Sequence, residues 1–336
     1  MTVTMKDIAR RAGVSRQAVS AALGNSQSSI RVSDETRWRV AQVAQDLGYL
    51  PNSAARVMAT GKFGCVAMLS SPLGRLSTVT TPFLCGIHDT LNTFDLHLLQ
   101  AMIPADEAHR AQFVPKFLRE YMIDGFLVNY VAEIPPTLKA AFDSRVQPCV
   151  WMNVDMPCDA VRPDDYTAAR DLTGKLIELG HSRISFVAHH SDHYSVAMRR
   201  QGYSDAMLAA GLEPGSIYNV LGSRGWVALG REWLRSDDRP TAVVAYDSFT
   251  AKPILFAALM EGLRVPGDLS LATFDVDTAE DMTAGVKIAA MVVPWYSMGK
   301  SAVELLVEKI EQPDLSFPCR HISFTFDAGE TLGPPR

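Results

Sequence analysis

From residue 63 onward the sequence alternates short apolar runs with amphipathic stretches of helical spacing. The apolar runs occupy residues 65–70, 96–101, 126–129, 149–153, 184–188, 217–221, 242–245 and 269–274. Helical spacing occurs at 110–121, 167–179, 199–210 and 254–262, and a last helix at 298–310 precedes a strand at 321–326. Strands that alternate with helices form parallel sheets with helices on both faces. The sequence therefore predicts an α/β body.

The first fifty residues follow a different pattern. Residues 5–12 place apolar side chains on one face of a short helix, and Gly13 ends it. Ser15 can cap a second helix over 16–23. The residues that this helix leaves facing outward are Arg16, Gln17, Ser20 and Ala21. A third helix begins after Ser33. Two short helices joined by a tight turn predict an all-α helix-turn-helix unit.

Charge is divided unequally between these two parts. The whole chain has 32 Lys and Arg against 37 Asp and Glu, a formal net charge of -5. Residues 1–62 hold nine of the basic and four of the acidic residues, a net charge of +5, so the remainder carries -10. A basic segment on an acidic body indicates that one end of the chain meets a polyanion.

Several classes of protein are disfavoured by what the sequence lacks. The five cysteines are scattered without a CxxC pair, which predicts free thiols and no metal site. No apolar stretch reaches the length of a membrane span, so we expect a soluble protein of the bacterial cytoplasm with no membrane partner. The sequence contains no GxGxxG after its first strand and no Walker, GxSxG or HExxH motif. We therefore expect neither an enzyme nor a cofactor.

The basic segment resembles the headpiece of LacI/GalR-family transcription regulators. The matching residues are MKDIA at 5–9, AGVS at 12–15, VS at 19–20 and 32–33, TR at 36–37, LGY at 47–49, and PN at 51–52. The resemblance implies a DNA-binding headpiece at 1–50, a hinge helix and linker at 51–62, and an effector-binding and dimerisation domain at 63–336.

By this resemblance, Arg16 and Gln17 read base edges in the major groove, where Arg pairs with guanine and Gln with adenine. The residues expected to contact phosphates are Ser15, Ser20, Asn25, Tyr49 and Asn52. In the hinge, Ala55 and Met58 are expected at the DNA, with Met58 as the apolar wedge in the minor groove. The alternative is that Val57 and Met58 pack between the two hinges of a dimer.

The body resembles the same family over nearly its whole length, through DGFL at 124–127, DD at 164–165, LIELGH at 176–181, GLRVPGDLS at 262–270 and FD at 274–275. Relatives form two Rossmann-like lobes, similar to periplasmic sugar-binding proteins, with a ligand between them. The positions that the resemblance assigns to the effector are Phe83, Asn129, Asn153, His193, Ser195, Arg199, Trp226, Tyr246, Asp275 and Trp295.

These positions also permit other interpretations. Arg199 and Asp275 can form an ion pair between the lobes, and the aromatic residues can be core or lid packing. Adjacent histidines before His193 suggest a metal site, but a hydrogen bond from His193 to the effector is favoured over it.

The sequence predicts a repressor that binds a pseudo-palindromic operator as a homodimer. The resemblance implies a sugar or sugar derivative as the effector, and it assigns to Trp226 the role of an aromatic residue that stacks on the sugar ring. Tyr246 and Asn153 differ from the residues common in relatives, which leaves nucleosides or other small polar ligands open. Two alternatives from other classes remain: a solute-binding protein, and an enzyme that uses the cleft, which is disfavoured because the sequence contains no catalytic constellation.

Overall fold

The computed structural model describes residues 3–23, 31–50, 57–58, 61–71, 79–102, 123–130, 136–143, 147–189, 193–215, 218–220, 223–274 and 285–336. The chain divides into two compact units, Met1–Phe63 and Gly64–Arg336, called the headpiece and the body below. The helix predicted at 110–121 lies outside the described residues. Among the helices of the described ranges, none is long and apolar enough to cross a membrane.

The headpiece contains the helices α1 (Met5–Ala12), α2 (Arg16–Ala22) and α3 (Asp34–Asp46). Ser15 and Ser33 accept hydrogen bonds from backbone amides in the first turns of α2 and α3, at 3.1 and 3.3 Å. Such caps stabilise a helix by about 1 kcal/mol. Gly13, with a φ of 66°, ends α1 in a left-handed conformation that glycine adopts without strain. The three predicted helices and their serine caps are confirmed.

The predicted orientation of one α2 residue is wrong. The sequence pattern places Ala21 on the outer face, but its side chain is buried together with Val19 and Ala22. The reason is that α2 contacts both α1 and α3, so its buried sector is wider than a single helical face. Ile8 and Val40 complete the centre of this small core.

The body contains twelve strands and seven helices within its described residues. In chain order they are β1 (Cys65–Ser70), α4 (Thr81–Thr93), β2 (His97–Met102), β3 (Gly125–Asn129), α5 (Pro136–Asp143), β4 (Cys149–Met152), β5 (Ala160–Pro163), α6 (Asp165–Glu178), β6 (Ile184–His189), α7 (Tyr194–Ala209), β7 (Tyr218–Val220), α8 (Ser223–Leu234), β8 (Ala242–Ala245), α9 (Ser248–Met260), β9 (Ser270–Phe274), β10 (Ala289–Val292), α10 (Trp295–Glu311), β11 (Arg320–Ile322) and β12 (Thr325–Asp327).

These elements form two lobes, each built on one six-stranded sheet. The first lobe has the strand order β11-β5-β4-β3-β1-β2, with every neighbouring pair parallel. The second has the order β12-β10-β9-β8-β6-β7, with β12 antiparallel to β10 and the other pairs parallel. The chain crosses between the lobes after β5, after β10 and after β11. Phe324, in the last crossing, packs against the cores of both lobes.

The predicted α/β fold class is confirmed, and each of the eight predicted apolar runs overlaps a strand. The strand predicted at 321–326 is wrong as a single element. It divides into β11, which completes the first sheet, and β12, which completes the second, because the chain crosses between the lobes at that point. The short strands β5 and β10 were not apparent from the pattern of apolar runs.

Two glycines bring helices α4 and α10 of the first lobe into close contact. A Cβ atom added at Gly86 would overlap the carbonyl oxygen of Tyr296, and one at Gly299 would overlap the carbonyl oxygen of Phe83. The two backbones therefore touch where no side chain intervenes, and this contact buries Ile87 and Met298 in the core of the lobe.

We expect Gly86→Ala to lower the free energy of unfolding of the body by about 1–3 kcal/mol, because the added methyl group forces the helices apart. Gly174→Ala is the matched control. Gly174 also lies inside a helix, α6, but its Cβ would meet no atom within 4 Å. The control should leave stability unchanged or raise it by up to about 1 kcal/mol. Chemical denaturation followed by circular dichroism measures both variants, and equal stabilities would contradict the close approach.

Candidate functional site

The outer face of α2 carries the residues predicted to read base edges. Arg16 and Gln17 are exposed in its first turn, and Ser20 is partly exposed one turn later. Ser15 immediately precedes them and fixes the start of the helix through its hydrogen bond to the amide of Ala18. The guanidinium and the amide therefore extend from a backbone of defined geometry, which is what side chains that enter a groove require.

The other candidate DNA-binding residues of the headpiece differ in burial and in the contacts that they make. Tyr49 packs against the headpiece core, and its backbone amide donates to the carbonyl of Ala44 at 2.9 Å, so it closes the end of α3. Met58 is 91% exposed. Three further candidates, Asn25, Asn52 and Ala55, lie outside the described residues. The assignment of all these residues to DNA stays a prediction.

In the body, the candidate effector residues gather at the carboxyl ends of strands from both lobes. Asn129 ends β3 and is buried, and Asn153 follows β4 with a left-handed φ of 58°. From the second lobe, His193 caps α7, Ser195 lies in its first turn, and Tyr246 follows β8. Ligands of open parallel sheets bind at this end of the strands.

A chain of hydrogen bonds joins these residues across the two lobes. Nε2 of His193 lies 3.0 Å from the carbonyl oxygen of Asn153, and Nδ1 lies 2.6 Å from Oγ of Ser195. That Oγ lies 2.8 Å from the hydroxyl of Tyr246. Since a carbonyl oxygen only accepts, Nε2 carries the proton and Nδ1 accepts from Ser195. The Tyr246 hydroxyl in turn donates to Ser195, so every hydrogen bond of the series donates in the same direction, from Tyr246 towards Asn153.

Burial determines the protonation states of His193 and Tyr246 in this series of hydrogen bonds. It lowers the pKa of His193 from the ordinary value of 6.5, while the Asn153 carbonyl acts in the opposite direction. Burial also raises the pKa of Tyr246 above 10.0. At neutral pH both groups are uncharged, which agrees with the direction of the hydrogen bonds.

Arg199 lies deeper in the second lobe and pairs with a residue that the sequence interpretation did not select. Its Nε donates to Oδ1 of Asp165 at 2.7 Å, and a terminal nitrogen donates to the carbonyl oxygen of Tyr246 at 2.6 Å. Its guanidinium carbon also lies 4.5 Å from the centre of the Phe274 ring. The described carboxylate partner of Arg199 is Asp165, and the alternative of an Arg199–Asp275 ion pair between the lobes stays a prediction. The other suggested partner, Asp275, lies outside the described residues.

The sequence contained one signal for Asp165. It follows Asp164 at the start of α6, and only one carboxylate of such a pair can cap the helix. Asp164 is that cap, since its Oδ1 accepts from the amide of Thr167 at 3.2 Å. The second carboxylate is therefore available for another role, and it is buried against Arg199.

The aromatic candidates are divided between core and cleft. Phe83 is fully buried in the first lobe and meets Trp295 edge to face at 5.8 Å between ring centres. Both rings pack against the core of that lobe. Trp226 lies in α8, but its side chain is outside the described part of the structure.

The free energy of unfolding should fall as the pH falls below about 6.5. The unfolded chain then protonates His193 while the folded site resists protonation, so acid favours the unfolded state. His193→Asn removes this titration but keeps a side chain that can cap α7. Thermal unfolding between pH 8 and pH 5.5 should show a shallower pH dependence for the variant. An unchanged dependence would contradict the buried neutral state of His193.

Comparison with known proteins gives two family matches. The family model described as "Bacterial regulatory proteins, lacI family" matches residues 4–52. The model described as "Periplasmic binding protein-like domain" matches residues 173–331. Both candidate regions, the outer face of α2 and the second-lobe side of the cleft, lie within these matches.

Individual relatives match over nearly the whole chain. The HTH-type transcriptional regulator GntR of Escherichia coli K12 is 26% identical over 336 residues, covering 98% of each protein. A lac repressor dimer bound to operator and the anti-inducer ONPF has a TM-score of 0.75 at 19% identity, covering 98% of this chain and 99% of that one. A complex of the regulator CelR with cellobiose has a TM-score of 0.66 at 24% identity, covering 98% and 100%.

Proposed function

The chain belongs to the lacI family of bacterial DNA-binding transcriptional regulators, and we propose that it is a repressor that binds a pseudo-palindromic operator as a homodimer under the control of a small effector. It is a regulator and not an enzyme. The observation that carries the proposal is the capped helix α2, which exposes Arg16 and Gln17 side by side. As a transcriptional regulator it is proposed to act in the bacterial cytoplasm.

The two side chains suit direct readout of bases. A guanidinium can donate two hydrogen bonds to guanine, and a glutamine amide can both donate to and accept from adenine. The net charge of +5 in residues 1–62 supplies attraction to phosphates that does not depend on sequence. Affinity is therefore assigned to the headpiece as a whole and selectivity to these two residues.

Replacing Arg16 and Gln17 together with alanine should reduce operator selectivity by at least about 30-fold, because each of the two base contacts is worth about 1–3 kcal/mol of discrimination. Gel-shift titrations with the DNA upstream of the chain's own gene and with a shuffled duplex measure the ratio of affinities.

Arg39→Ala is the matched control for that experiment. Arg39 is an exposed arginine of α3 in the same headpiece, so its loss removes one positive charge without touching α2. Arg39→Ala should lower the protein's affinity for both duplexes by a similar factor. If the Arg16 and Gln17 variant keeps the selectivity of the native protein, the proposed reading surface is wrong.

Helix α9 supports the proposed homodimer. Phe249, Phe256 and Met260 lie at positions i, i+7 and i+11 of one helical face, and their exposed fractions are 72%, 47% and 60%. An apolar stripe of this kind is typical of a covered interface. The solved lac repressor complex is a dimer, and we propose that a second copy of this chain covers the α9 stripe.

We expect Phe256→Glu to convert the dimer to a monomer, because a carboxylate would be buried without a partner at the interface. Leu208→Glu places the same charge at an exposed leucine of α7, away from the α9 stripe, and should leave the dimer intact. Sedimentation velocity of the full chain measures both. A dimer that survives Phe256→Glu would place the interface elsewhere.

The effector is proposed to bind between the lobes, at the hydrogen-bonded chain that joins His193 to Asn153. A sugar or sugar derivative is the first class to test, since cellobiose occupies the CelR complex. Tyr246, an aromatic residue within the cleft, makes a nucleoside the second class. A ligand that changes the distance between the lobes must bind the two arrangements unequally in order to control DNA binding.

A further inference from the structure

Helix α2, which carries Arg16 and Gln17, is short and is buried through small side chains. It has seven residues, and those that it buries are Val19, Ala21 and Ala22. Valine and alanine side chains remove little apolar surface from water, so packing alone fixes the direction of this helix axis weakly. The contacts at the two ends of α2 therefore matter more for its orientation than they would in a long helix.

The start of α2 is fixed by its own sequence, but its end is not. Ser15 caps the first turn through the amide of Ala18. The last turn contains no basic residue, and the final carbonyl groups of a helix lack partners within it. Partial negative charge accumulates at these carbonyls, so a cation beside them stabilises the end of the helix. For α2, such a cation has to come from another element of the headpiece.

Arg37 of α3 supplies that charge. Its Nη1 donates to the carbonyl oxygen of Ala22, the last residue of α2, at 3.5 Å, a long hydrogen bond that the charge of the guanidinium strengthens. The backbone of Arg37 is itself held, because its amide donates to the carbonyl oxygen of Ser33 at 2.9 Å and Ser33 caps the same turn. Val40, one turn further along α3, is completely buried in the headpiece core. The guanidinium therefore reaches the end of α2 from a fixed support.

We propose that Arg37 is a positioning residue for base reading, which holds the C-terminal end of α2 and thereby sets the angle at which Arg16 and Gln17 meet the bases. Side chains that recognise a ligand have to be held within about 0.5 Å and about 10–20° of the productive geometry. Because Ser15 anchors the start of α2, a contact at the opposite end controls the direction of the helix. This inference rests on the proposed function, since it takes α2 to be the reading helix.

Two other roles of Arg37 give different expectations. If Arg37 only neutralised a phosphate, its loss would weaken binding to every DNA duplex by the same factor. If it only stabilised the headpiece, its loss would lower the melting temperature and leave the ratio of affinities for operator and unrelated DNA unchanged. Control of the angle of α2 is the role that lowers this ratio.

The test compares Arg37→Met with Arg39→Met in the full-length chain. Methionine keeps most of the apolar stem and removes the charge. Arg39 is an exposed arginine of the same helix, and it forms no hydrogen bond with α2 in the described part of the headpiece. Titrations of the upstream duplex and of the shuffled duplex, followed by fluorescence anisotropy, give the ratio of affinities.

We expect the ratio to fall by about threefold to tenfold for Arg37→Met, which is the range for a charge at a helix end, and to stay within about twofold of the native ratio for Arg39→Met. The affinity for the shuffled duplex should fall by the same factor in the two variants, because each loses one positive charge. Equal binding of the shuffled duplex also shows that the headpiece of Arg37→Met is folded.

Arg37→Lys replaces Arg37→Met if the latter loses much more affinity for the shuffled duplex than Arg39→Met does. Lysine keeps the positive charge, but its nitrogen lies one bond nearer to the backbone than Nη1 and lacks the planar fork of donors. Its affinity for the shuffled duplex should equal that of the native protein, and its ratio should be lower than the native one.

A folded Arg37 variant that keeps the native ratio overturns the positioning role, whatever its melting temperature. An equal loss of selectivity in Arg39→Met overturns it as well, because the effect would then belong to charge and not to position. Failure of the proposed function has another signature, since the native protein would then bind the upstream and the shuffled duplex equally, and the positioning role would fall with it.

Discussion

The chain passes between the two lobes of the body three times, and the rest of the body is arranged around these crossings. Each sheet is completed by strands that lie far from the others in sequence, β11 in the first lobe and β12 in the second. Asp165 begins α6 directly after the first crossing, Trp295 begins α10 after the second, and Phe324 lies in the third. Any relative rotation of the lobes must bend all three segments together. The candidate effector residues are therefore close to the parts of the backbone that would have to move.

Local sequence determines much of what can be predicted here. The serine caps and apolar spacing locate α2 and α3, and continuous apolar runs locate the central strands, because strands buried on both faces need apolar side chains at every position. The short strands β5 and β10 escape such a pattern, and the division of residues 321–326 depends on a topology that no local window contains. Ala21 is misplaced for a similar reason, since its burial depends on two other helices.

The candidate site shows the same limit. The residues at the carboxyl ends of the strands can be predicted from the sheet order and from a family resemblance. Which groups bond each other cannot be predicted in this way. Arg199 could be expected to meet a carboxylate, but its described partner lies 34 residues earlier on an adjacent helix. That Asp165 rather than Asp164 meets Arg199 follows from the cap at Asp164, and no local pattern shows which of the two carboxylates takes that role.

The left-handed backbone at Asn153 limits how this cleft can change. Its carbonyl oxygen accepts a hydrogen bond from Nε2 of His193. The backbone of Asn153 has a φ of 58°, a conformation that costs most side chains about 1–2 kcal/mol and that asparagine, aspartate and glycine tolerate best. Few residues can replace Asn153 without weakening the hydrogen bond from His193 that joins the two lobes. A change of ligand specificity, whether by evolution or by design, therefore has few options at this position. New specificity is thus more accessible through Tyr246, where the backbone imposes no such restriction.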